Sequence, residues 1–64
     1  MVTIELCRVG DKSVVVKLLD GMVKEYVVCS YYDGTKKYGD QWCWGHYFND
    51  LVLAVEYFKE AIND

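Results

Sequence analysis

The last third of the chain limits the fold more than any other stretch. Leu51, Ala54, Val55, Phe58 and Ile62 are spaced i, i+3, i+4, i+7, i+11, which is the apolar stripe of one helical face. Glu56, Lys59, Glu60 and Asn63 fall on the opposite side. The pattern predicts a helix over Asp50–Ile62. It is the only convincing helix in the sequence, and one helix of that length covers one face of a small sheet and no more. Asn49 is placed to accept from a free amide of the first turn as N-cap, with Asp50 suited to the positive end of the helix dipole. That cap would make Phe48 and Leu53 the two ends of a hydrophobic staple.

Upstream of the helix the periodicity is two rather than 3.6. Val2-Thr3-Ile4-Glu5-Leu6-Cys7 alternates as a half-buried strand, and Gly10-Asp11-Lys12-Ser13 is turn chemistry. The β-branched run Val14–Leu19 predicts a second strand, and Asp20-Gly21 a two-residue hairpin turn in which glycine tolerates positive φ. A third strand follows over Val23–Tyr32. The two-residue turn sets Lys17 opposite Lys24, a mildly repulsive pair; a three-residue loop would set it opposite Glu25. Turn geometry favours the first. Asp33–Gln41 is a polar loop with two glycines, and Trp42–Tyr47 is a fourth strand with Gly45 as a candidate bulge or point of close approach. The expected fold is α+β: a single β-β-β-β-α domain over residues 1–64, an antiparallel meander of order 1-2-3-4 with the helix on one face.

Composition excludes several classes of function. Sixty-four residues near the lower size limit for independent folding leave a thin margin over conformational entropy, yet 53% are hydrophobic, with six tyrosines and two tryptophans. A net charge of −3 does not suit duplex nucleic acid, where clustered cations supply most of the affinity. No apolar run approaches a membrane span. The chain opens directly on Val2, Ile4 and Leu6 without a basic region or apolar leader, so the expected location is the cytoplasm.

Three cysteines, an odd number, fit free thiols better than a disulfide framework. Cys7, Cys29, Cys43 and His46 are chemically suitable for zinc. They are scattered singly over three strands, however, and Cys43 and His46 point to opposite faces of an extended strand unless Gly45 bends it. The same parity argues against a Cys–His nucleophile, and no glycine-rich phosphate loop is present. The sequence therefore predicts no catalytic activity, no cofactor and no metal. Tyr31, Tyr32, Tyr38, Trp42, Trp44 and His46 around Lys36-Lys37 are the one combination suited to single-stranded nucleic acid, since aromatic faces beside lysines are what such binding uses. An acidic patch at the helix end (Glu56, Glu60, Asp64) is of the kind that phage inhibitors of nucleic-acid enzymes present to basic partners.

Strands two to four lack the polar alternation of a sheet whose second face meets water. Val15, Leu19, Tyr26, Tyr32, Trp42 and Trp44 are left for that uncovered face. They predict an interaction surface: a homodimer packed sheet against sheet, or the same surface offered to a protein partner. The alternative is that the Asp33–Gln41 loop folds over the patch and leaves a monomer. The run Trp44-Gly45-His46-Tyr47-Phe48 followed by Leu51, Ala54, Val55, Tyr57 and Phe58 resembles small uncharacterised proteins of gut Firmicutes and their mobile elements. That resemblance covers the last third and implies no activity. The expected role is protein–protein contact, with a single-stranded nucleic-acid binder or a phage-type inhibitor as the alternatives.

Overall fold

The computed structural model describes residues 1–63 as β1 (Val2–Val9), β2 (Lys12–Leu19), β3 (Met22–Ser30), β4 (Cys43–Phe48) and α1 (Leu51–Asn63). The strands form one antiparallel sheet in the order β1-β2-β3-β4, with the helix across one face. Asp64, counted above in the acidic patch, lies outside the described residues.

Each strand pair contains one register shift, and a one-residue shift moves every later side chain to the other face. The shift between β2 and β3 resolves the hairpin. Leu19 pairs with Met22 and Leu18 with Val23, as a two-residue turn requires, and Asp20 and Gly21 both have positive φ, 54° and 78°. Lys24 is then bulged out, so Lys17 faces Glu25 and its Nζ lies 2.7 Å from the carboxylate. The turn and the attractive pair are therefore both satisfied, and the expected Lys17–Lys24 opposition does not form. Between β1 and β2, Leu6 is the extra residue. Cys7, which strict alternation places with Thr3 and Glu5 on the face away from the helix, consequently sits opposite Val14 on the helix side. Between β3 and β4, Trp44 and Gly45 together span the position of Cys29, confirming the bulge anticipated at Gly45.

On the helix side, Ala54 and Phe58 bury against Val14 and Val28, with Tyr26, Phe48, Tyr57 and Ile62 around them. Tyr57 meets His46 at a ring separation of 4.6 Å and Phe48 at 5.5 Å, tying the helix to β4. The helix lies over β2, β3 and β4, and β1 extends beyond its cover. The other face carries a second small core of Val15, Val27, Cys29 and Tyr32, flanked by Trp42.

The helix begins one residue later than expected, and Asp50 rather than Asn49 is its cap. The Asp50 carboxylate accepts from the Val52 amide at 2.7 Å, and its carbonyl accepts the first helical bond from Ala54 at 3.1 Å. The Asp50 carboxylate also places a negative charge at the positive end of the helix dipole. The shift also removes the staple: Leu53 is exposed, and Phe48 packs on Tyr57. Asp50→Ala is expected to lower stability by about 1 kcal/mol in chemical denaturation, and Asn49→Ala by clearly less.

Candidate functional site

A loop fastened across the sheet builds the second face. β3 ends where Tyr31 turns to φ 56°, its amide donating to the Asp11 carbonyl at 2.8 Å. A hydrogen bond from its hydroxyl to Asp11 raises the Tyr31 phenol above its ordinary range. This reversal swings Tyr32 over Val15, Val27 and Cys29. Thr3 donates its one hydroxyl proton to the Gln41 side chain at 3.0 Å, so the Tyr32 hydroxyl donates to Thr3 across 2.8 Å. Arg8 donates to the Tyr32 carbonyl at 2.7 Å and to Glu5 at 2.8 Å. Glu5 also accepts from Ser13, and that bond, followed by Arg8, holds its carboxyl below the usual range. The stabilisation this represents is present above the ordinary carboxyl pKa and is lost as pH falls through the lowered value. The Asp33 amide donates to the Gln41 carbonyl at 2.7 Å, closing the loop's base.

Trp42 stacks on Tyr32 with rings 6.3 Å apart and 28° between planes, and its indole N–H donates to the Tyr47 hydroxyl at 3.2 Å. Both rings close over Gly45. A Cβ there would meet Trp42 Nε1 at 2.7 Å and the Tyr47 hydroxyl at 2.8 Å, so any larger residue would force one or both rings to shift. Lys17 reaches the same place from β2, its ammonium 5.9 Å from the Trp42 ring and 5.7 Å from the Tyr47 ring. Together with Lys36, Lys37 and Trp44 these residues line a cleft of about 590 Å³. Asp40 lines it too, yet among the described residues neither Lys36 nor Lys37 forms an ion pair.

The six residues expected to form one open surface do not do so. Val15 and Tyr32 are buried beneath and within the loop, because the loop folds over the face that was expected to pack on a second sheet. Tyr26 is half-buried on the helix side, Leu19 is exposed at the β2–β3 turn, and Trp42 is half-buried. Only Trp44 is well exposed within the cleft, at 74%. Trp42, Trp44 and His46 no longer share a face. The bulge instead brings Cys43 and His46 to the helix side, paired with Ser30 and Val28, which removes the parity objection to that pair. Cys29 lies on the other face, and among the described residues no cluster of three or more His, Cys, Asp or Glu could hold a metal. All three cysteines are free. Lys17 was not singled out from the sequence; a lysine on the buried parity of a Val-rich strand was the available signal.

The opposite edge of the sheet is open. Among the described residues β1 pairs only with β2, and it exposes Val2 (59%), Ile4 (45%), Leu6 (47%) and Val9 (51%).

No family model matches this chain, and neither a curated protein nor a solved structure matches it.

Two measurements probe this geometry. Gly45→Ala is expected to destabilise the fold by about 1–3 kcal/mol, because both rings above it would have to shift. Burial pushes the Cys29 thiol up to about 11, whereas Cys7 and Cys43 are exposed. A thiol reagent at pH 8 should therefore label Cys7 and Cys43 promptly in the folded state, and Cys29 only on unfolding.

Proposed function

We propose that this protein is a non-catalytic interaction module that works by protein–protein contact through the β1 edge, and that its first partner is a second copy of itself. The supporting observation is the aliphatic row Val2, Ile4, Leu6 and Val9 on a strand with one unpaired side. Long edges on soluble chains are normally blunted with lysine or proline, or covered; this one carries neither residue. Its bulge at Leu6 bends the edge and removes ladder bonds, so apolar contact would carry much of the interface.

A second copy fits this edge. In an antiparallel two-fold pairing, Ile4 opposite Val9 and Glu5 opposite Arg8 keep every side chain on its own face and oppose unlike charges twice. The two helices would then lie on one side of a continuous eight-stranded sheet. Helical periodicity puts Leu51 and Val55 on the flank opposite Tyr57; since Tyr57 meets β4, that flank looks toward β1 and adds apolar area beside it. The expected location is the cytoplasm, and no helix among the described residues is long and apolar enough to cross a membrane.

Light scattering after size exclusion at micromolar concentration tests this reading. The wild type is expected at twice its 7.4 kDa chain mass, with Ile4→Lys and Val9→Lys monomeric and their melting temperatures within a few degrees of the wild-type monomer. A monomeric wild type across this range would contradict self-association.

A further inference from the structure

We propose that the cleft between the loop and β4, which Met1 and Thr3 also line, binds a phosphorylated aromatic base, presented as a single-stranded nucleic-acid segment or as a free nucleotide. The chain as a whole is acidic, so any anion site has to be local. Lys17, Lys36 and Lys37 converge on this one cleft. Lys17 is neutralised by Glu25 and held between the Trp42 and Tyr47 rings, which fixes the aromatic wall. Lys36 donates to the Asp40 carbonyl at 3.1 Å and, among the described residues, has no carboxylate within ion-pair distance, although Asp33 and Asp40 lie nearby.

Trp44 supplies the independent observation. It has φ 51°, a left-handed backbone that bulky residues rarely adopt, and it occupies a bulge position where glycine would be relaxed. The fold does not bury it in return: it stays 74% exposed, touching Tyr31 in a tilted pair with centroids 6.0 Å apart. An exposed tryptophan held in strained backbone at the mouth of a lysine-lined cleft is arranged to receive something on its face. A base stacked on Trp44 or Tyr47 places its phosphate toward Lys36 and Lys37. Stacking on an aromatic face tolerates any base, so the site would read the strand's chemistry and not its sequence.

Fluorescence anisotropy with two labelled probes tests this: an oligothymidylate of about eight nucleotides, within the usual range of single-strand site sizes, and thymidine 5′-monophosphate. Binding by the wild type at low salt is expected, weakening with a log–log salt slope of about −1.4 to −2.1 for the strand if two or three phosphates are neutralised. The probe that saturates at lower concentration names the natural source. Trp44→Gly relieves the backbone strain, so it should hold or raise the melting temperature while weakening binding about tenfold or more. Lys36→Gln should weaken binding several-fold, and Lys59→Gln, which removes an exposed helical charge outside the cleft, should leave it unchanged. Failure of both probes to bind, an unchanged affinity in Trp44→Gly, or equal losses in Lys36→Gln and Lys59→Gln would each overturn the proposal. Ile4 and Val9 are not among the residues lining the cleft, so dimerisation and ligand binding are read from separate variants.

Discussion

One helix can dry only one face of a four-stranded sheet, and this chain is too apolar to leave the other face to water. Most of the structure follows from that constraint. The helix takes Val14 and Val28; the loop after β3 takes Val15 and Val27, using Tyr32 and Trp42 as its cover. A loop has no internal ladder to hold its shape, so its cover has to be fastened. Thr3, Arg8 and Gln41 supply the bonds, and Gly45 supplies the clearance for Trp42. Because β1 anchors the loop through one set of side chains and lies beyond the helix on the other face, its aliphatic residues are left outside both cores.

The three register shifts share a common logic. Each lets a local demand and a long-range demand be met together. At Lys24 the demands are turn type and ion pairing; at Leu6 they are edge alternation and the Glu5–Arg8–Ser13 contacts; at Trp44–Gly45 they are the Trp42–Tyr47 lid and the return of His46 and Phe48 to the helix. An extra residue disrupts a ladder locally, but a misplaced face would turn a whole strand's apolar set toward solvent.

The strands, their order and the helix were legible because period-two and period-3.6 patterns are long and the turns carry Asp-Gly and Gly-Asp chemistry. The bulges were not, since a single inserted residue leaves no signature in an apolar run readable in both parities, as Val23–Tyr32 is. Every error in facing traces to them: Cys7 and Cys43 moved sides, and the expected Trp42–Trp44–His46 row was broken up. The cap slipped by one because Asn49 and Asp50 both cap well, and the sequence could not show that the strand ends at Phe48. The cleft was half legible. Its aromatics and Lys36-Lys37 stood out as a set, but Lys17 joins them only through the fold.

The central claim is that the loop covers the second face of the sheet with Tyr32 and Trp42. Nuclear Overhauser spectroscopy in solution tests it most directly. The account predicts cross-peaks from the Tyr32 and Trp42 ring protons to the methyl groups of Val15 and Val27, with those methyls shifted upfield by the rings above them. Valine methyls at ordinary shifts, with no contact to either ring, would contradict it.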